Sequence, residues 1–286
     1  MKSAIRILFF FFCILILIET SFAQVAWQEL SGEHFIVYFT DEEKLAKSIL
    51  EKAEFYYRNI ATELGYPRYS EFWLWDKRVK IYIYPDHEAF LKATGQPNWS
   101  QGVADYKGKQ IISYAWSRGF VESLLPHEIA HLIFRDFVGF KGEIPLWLDE
   151  GVAQWAEEYK RDQIKALARK LFNEDSLLSL EDMIKVDVRK ITETDRVYIR
   201  STITKDGDRG ILFLSAENMV NTYYLQAVSL VGFLIEKYGS YDFASFCREL
   251  RDGKSLEEAL RFAYPEHIRT LGEFENKWRE YLREED

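Results

Sequence analysis

The stretch LLPHEIAHLIF, residues 124–134, sets the tightest constraint on this chain. It has the apolar content of a buried helix, yet it carries His127, Glu128 and His131. On an α-helix residues four apart stack on one face, so the two imidazoles converge on one point, with Glu128 flanking it. Such a pair is either a metal site or a coincidence of composition, and the rest of the chain has to decide. A catalytic zinc takes three protein ligands and keeps a fourth position for water, and a single helix face cannot complete that tetrahedron. The segment PLWLDEGVAQWAE, residues 145–157, offers the third ligand. There Glu150 lies among apolar residues, where an unpaired carboxylate is costly to bury. A connection through DFVGFKGEI lets the second segment return beside the first. His127, His131 and Glu150 are therefore expected to hold one zinc ion per chain, leaving Glu128 free as a base. His34, His87 and His267 lack partners at ligand spacing and read as structural or surface histidines.

The first residues point to export. MKSAIR carries two positive charges, an apolar run follows from Ile7 to Ile18, and Ser21 and Ala23 occupy the positions that a signal peptidase reads. Residues 1–23 are expected to be a signal peptide and residues 24–286 a single domain. An N-terminal membrane anchor is the alternative; twelve apolar residues fall short of the roughly 20 that a spanning helix needs. Without Lys2, Arg6 and Glu19 the formal charge moves from −9 to −10. An acidic chain argues against nucleic acid as a partner, and against docking on anionic lipid by charge alone. Cys13 leaves with the signal run, so Cys247 has no intramolecular disulfide partner. The expected location is periplasmic or extracellular, with no stable membrane insertion after signal cleavage.

Hydrophobic periodicity then orders the elements. HFIVYF (34–39) and VKIYIY (79–84) alternate as strands, and a helix between them starts at a Thr40–Glu43 capping box and stops at Gly65 and Pro67. A short helix covers 86–94, and a hairpin at YKGK pairs a strand near 101–106 with QIISYA. From residue 119 the pattern becomes helical: about 124–137 with Ser123 as cap and Pro126 in the first turn, then about 145–160 and 161–172. Residues 190–215 read as a hairpin turning at KDGD, 223–239 as a helix closed by Gly239, and the tail as helices starting at Ser255 and Thr270. The expected class is α+β: a small mixed sheet lobe over about 24–140, ending in the active-site helix, followed by a mainly helical lobe over about 141–286.

HExxH, eighteen further residues and then Glu150 resembles the gluzincins, the glutamate-containing zinc peptidases. The resemblance tightens to the bacterial peptidase MA-like domains through HEIAH (127–131), PLWLDEGVA (145–153) and the tyrosine-led helix YLQAVSLVGFLIEKYG (224–239). It runs from about Phe35 to Trp278, with 190–215 resembling an insertion. It implies a zincin-like fold, zinc on His127, His131 and Glu150, and Glu128 as general base. Two departures matter. GVADY stands where the aminopeptidases of the group carry GxMEN, so trimming of N-termini is disfavoured. Gln154 stands where thermolysin-like enzymes place a further acid, which leaves the orienter of one histidine unassigned.

The expected activity is exported, zinc-dependent hydrolysis of peptide bonds in a peptide or protein substrate, by Glu128-assisted attack of a zinc-bound water. An endopeptidase is favoured over an aminopeptidase, with the edge strand near 102–106 holding an extended peptide. A catalytically inactive zincin-fold binding module of the cell envelope is the alternative. For the developing oxyanion, the family position before LQAVSLV assigns Tyr224 as the donor, with Tyr223 as its neighbouring competitor.

Overall fold

A computed structural model describes residues 26–66, 73–139, 144–191 and 196–284. The expected signal segment and the end of the DFVGFKGEI connection lie outside these residues. The chain is a mixed α+β structure, a small sheet followed by a mainly helical part.

The sheet is built from β1 (Gln28–Ser31), β2 (Phe35–Phe39), β3 (Val79–Tyr84), β4 (Gly102–Asp105) and β5 (Gln110–Tyr114), in the order β1-β2-β3-β5-β4. β2, β3 and β5 run parallel, while β1 and β4 are antiparallel edges. Period-2 alternation decides its faces. Val79, Ile81 and Ile83 are buried, whereas Tyr82 turns outward, stacks on Tyr38 at 4.8 Å and meets Trp27 edge-on.

Helix α1 (Glu43–Glu63) crosses from β2 to β3 and packs against the sheet. Its start differs from expectation: Glu42 is the N-cap, without a side-chain bond, and Thr40 lies outside the helix. Helix α2 (His87–Thr94) is capped by Asp86, whose side chain accepts from Ala89 N–H at 2.8 Å. Helix α3 (Leu125–Val138) carries the histidines. A π-helical turn over Phe120–Leu124 leads into it in place of a serine cap, and Pro126 sits in its first turn. The hydroxyl of Ser123 is used elsewhere, on Glu157.

The helical part contains α4 (Leu146–Trp155), α5 (Arg161–Asn173) and the short α6 (Leu180–Met183). A hairpin of β6 (Val197–Ile203) and β7 (Arg209–Ser215) follows, then α7 (Ala216–Tyr238), α8 (Ser240–Arg251), α9 (Leu256–Ala263) and α10 (Leu271–Arg283). The expected helix from 145 to 160 breaks at Trp155, and a 3-10 turn over Glu158–Lys160 re-aims the chain into α5. Helix α7 starts seven residues earlier than its sequence pattern, because the Ser215 hydroxyl accepts from Asn218 N–H and caps it. The Ser255 capping box forms as expected.

Helix α3 lies between α1 and α4, and α4 lies on α7. The last contact is close: a Cβ at Gly151 would sit 2.5 Å from the Ala227 carbonyl. Glycine lets the two backbones meet directly beside Glu150. No helix among the described residues is long and apolar enough to cross a membrane.

Candidate metal centre

Helical spacing on α3 places His127 and His131 side by side, with ring centroids 4.9 Å apart. The Nε2 atoms of both point to one carboxylate oxygen of Glu150, on the neighbouring α4, each at 3.9 Å. One donor atom from each of the three residues falls within 4.8 Å of the others. Tetrahedral zinc, with ligands at 2.0–2.1 Å, sets them about 3.4 Å apart. A contraction of about half an ångström brings each histidine–Glu150 pair to that spacing.

The opposite ring nitrogens are engaged too. His131 Nδ1 lies 2.8 Å from Asp149 Oδ1, and His127 Nδ1 lies 3.1 Å from Glu157 Oε1. Carboxylates at both Nδ1 positions favour the Nδ1–H tautomer and leave both Nε2 lone pairs facing Glu150. This is the second layer by which proteins orient metal-binding histidines. Each carboxylate is itself held: Asp149 by Arg135, Glu157 by Ser123 and Lys160. Burial works to raise the pKa of both carboxyls, but these bonds hold them below the usual carboxylate range. Both are thus charged at neutral pH.

These orienters are what sequence reasoning missed. Gln154, where a thermolysin-like pattern has an acid, makes no hydrogen bond to either histidine. The carboxylates come instead from Asp149, beside Glu150, and from Glu157, beyond the break in α4. Spacing along one helix could not reveal Glu157, because the turn after Trp155 is what brings it back to His127.

Glu128 is buried and bonded to neither histidine. Tyr106, which follows the edge strand β4, donates its hydroxyl to Glu128 Oε2 at 3.0 Å. Burial, then the Glu128 charge, pushes the Tyr106 hydroxyl far above its ordinary value, so it stays a donor. Its ring meets His131 edge-on at 5.5 Å, and the Arg135 guanidinium lies 4.6 Å from the ring centroid. Tyr106 therefore ties Glu128, helix α3 and the sheet edge together. Its position in the YKGK turn gave no periodic signal to find it by.

Glu150, half-buried and lacking a direct hydrogen bond, has its pKa raised chiefly by desolvation, with Asp149 and Glu128 adding to the effect and the two histidines opposing it. His131 is raised overall: burial opposes its charge, and Asp149, Glu150 and Glu128 outweigh that. A largely desolvated set of two imidazoles and converging carboxylates, with His131 buried and His127 and Glu150 half-buried, is the environment a divalent cation would relieve.

Tyr223 and Tyr224 stand at the N-terminal half of α7, where Gly151 against Ala227 sets the helix spacing. Tyr223 is fully buried, whereas Tyr224 lines a cavity of 660 Å³ shared with Gln154. Burial and the Glu150 charge push the Tyr224 hydroxyl up to about 12.

No family model and no curated protein matches the chain. Among solved structures, the chain is similar to a point mutant of an M1 zinc metallopeptidase from Deinococcus radiodurans, with 14% identity and a TM-score of 0.43. The alignment covers 90% of this chain and 51% of that one, so the chain spans about half of that protein's length. A likeness of that depth says nothing about chemistry, which the site's own geometry has to carry.

Proposed function

We propose that the chain is a zinc-dependent peptide hydrolase of gluzincin type, an exported protein that cuts within polypeptides. The convergence of both histidine Nε2 atoms on Glu150, each ring backed by its own carboxylate, carries this reading. His127, His131 and Glu150 would hold the zinc. When bound, the ion supplies a Lewis acid that polarises a carbonyl and brings water's pKa from about 16 toward 7.

The chain's own groups then divide the remaining work. Asp149 and Glu157 keep the two imidazoles in the ligating tautomer. Glu128, left outside the ligand set, takes a proton from the attacking water and delivers it to the departing amine. The Tyr106 hydroxyl holds one of its oxygens and leaves the other for that transfer. Tyr224 supplies a protonated phenol at the cavity wall for the developing oxyanion; Tyr223 is enclosed in the core and cannot turn toward substrate. The edge strand β4 lies next to Tyr106, so a substrate paired along it would present its backbone near Glu128.

Metal analysis with peptide-library cleavage, comparing wild type with Glu128→Gln, tests this reading. Zinc at one per chain in both, with cleavage in wild type only, is the expected result. A wild type that carries zinc and cuts no peptide would make the chain a binding module instead.

A further inference from the structure

The β6–β7 hairpin has two unlike faces. Thr202 and Leu214 are 3% and 8% exposed against the body of the protein. On the other face Val197, Ile199, Ile211 and Phe213 are 66%, 59%, 67% and 70% exposed. Ile199 pairs directly with Phe213, and Ile211 is the next residue on that face of β7. Four large apolar side chains thus form one continuous outward patch, and such patches mark interaction sites.

Its two edges differ as well. At the turn, Thr204 N–H donates to the Asp208 carbonyl at 2.8 Å. Counting by two along an antiparallel ladder, the backbone-bonded pairs are Thr202 with Gly210, Arg200 with Leu212 and Tyr198 with Leu214. The odd-numbered residues therefore point their N–H and C=O groups away from the hairpin. On β6 that edge is covered: the Ser201 carbonyl accepts from Ser179 N–H at 2.8 Å, and Ser201 N–H donates to Asp182 at 2.6 Å. On β7 nothing among the described residues meets the outward backbone groups of Ile211 or Phe213. The two most exposed residues of this patch also carry the free strand edge.

We infer that β7 is a docking strip for an extended apolar segment of the polypeptide substrate, held by strand addition at Ile211 and Phe213. This deepens the peptidase reading and rests on it for where the substrate leads. The strand is continuous with the catalytic surroundings: Leu214, next to Phe213, lines the 660 Å³ cavity together with Leu171, Asn218, Gln154 and Tyr224. Gln154 lies one helical turn from Glu150. A lipid surface fits less well, because it offers no regular backbone partners for a strand's free N–H and C=O groups. The hairpin is also basic, with Arg196, Arg200, Lys205 and Arg209 against Asp206 and Asp208 in a chain of net charge −9. A polypeptide with acidic flanks is therefore not repelled there.

The test uses the full mature chain with Glu128→Gln, so that the probe is not cut. The probe is fluorescein-labelled lactalbumin, reduced and carboxymethylated so that it stays unfolded. Ile211→Pro removes one outward N–H at an edge position that tolerates proline; Phe213→Ser removes the exposed ring and leaves the fold alone. Each should weaken probe binding by about tenfold, the scale of losing one interface anchor. Zinc content should not change, and with Glu128 restored an eight-residue peptide should be hydrolysed at the parental kcat/KM. Unchanged probe affinity in both variants overturns the inference. So does a wild-type dimer that Phe213→Ser dissolves, which makes a second copy the occupant. Binding to phosphatidylglycerol vesicles that Phe213→Ser abolishes, with polypeptide binding intact, overturns it in favour of lipid. If wild type hydrolyses no peptide at all, the peptidase reading fails by itself, and probe binding still decides the strip.

Discussion

Among the described residues, two groups bring a histidine within ligand distance of carboxylates, and they behave differently. One is His127, His131 and Glu150; the other is Glu33, His34 and Glu54. In the first, both Nδ1 atoms are bound by Asp149 and Glu157, which are not ligands, and both Nε2 atoms face the third donor. In the second, His34 Nδ1 sits 2.7 Å from Glu54, and the other Glu54 oxygen accepts from His34 N–H at 2.8 Å. The carboxylate that would share a cation there is already spent on the histidine itself. His34 also stacks on Tyr57 at 3.8 Å, and Glu33 stands in solvent. Proximity is common to both groups. What separates a candidate metal centre from a structural clamp is which nitrogen is already occupied, and by what.

The largest expected effect breaks the first group outright. Glu150→Ala should lower zinc affinity beyond the roughly 10–100-fold that a lost orienter costs, and hydrolysis should vanish with the metal. Glu54→Ala should leave zinc at one per chain, measured by the same dialysis and metal analysis. A fall in zinc from Glu54→Ala with none from Glu150→Ala would reverse the comparison.

Glu128→Gln comes next. It should lose hydrolysis by about 10²–10⁴-fold, the range for a general base, while zinc affinity stays near that of wild type. Tyr224→Phe should lower kcat by about 10²-fold with zinc content and KM little changed, the scale of one oxyanion donor. An impaired Tyr223→Phe beside a normal Tyr224→Phe would move that role by one residue.

The orienters are expected to act on the metal more than on the fold. Glu157→Gln should weaken zinc by about 10–100-fold, seen in competition with a chelator, with little loss of Tm. Asp149→Asn should do the same through His131.

The smallest effect sharpens the second group. Burial works to raise the Glu54 carboxyl, but bonds from the His34 ring and backbone hold it below its ordinary value. A depressed carboxyl contributes stability above its unfolded pKa, near 4.3. That contribution fades as pH falls through the folded value. Glu54→Gln should cost about 1–3 kcal/mol at neutral pH and flatten the acid limb of a stability profile from urea melts. An unchanged acid limb would mean that His34 and Glu54 do not stabilise each other.

Much of the candidate site was legible in one dimension. His127 and His131 share a helix face at any i, i+4 spacing, and Glu150 stood out as a carboxylate that an apolar segment would bury only for a partner. The strands with strict alternation, such as VKIYIY, were equally plain, since period 2 leaves one face for the core. Boundaries that depend on capping were less so: Thr40 had the residue pattern of a cap without forming one, and Ser215 lengthened α7 by seven residues.

What the sequence determined by itself, then, is local: which residues share a face, and which polar groups sit where burial demands a reason. Tertiary structure decided the pairings between elements that follow different periods. Glu157 reaches His127 only because the helix breaks at Trp155, and Tyr106 reaches Glu128 only because an edge strand ends beside α3. The free edge of β7 exists because segment 177–182 covers β6 and, among the described residues, nothing covers its partner. Each depends on the direction in which one element leaves another, and hydrophobic periodicity carries no information about that direction.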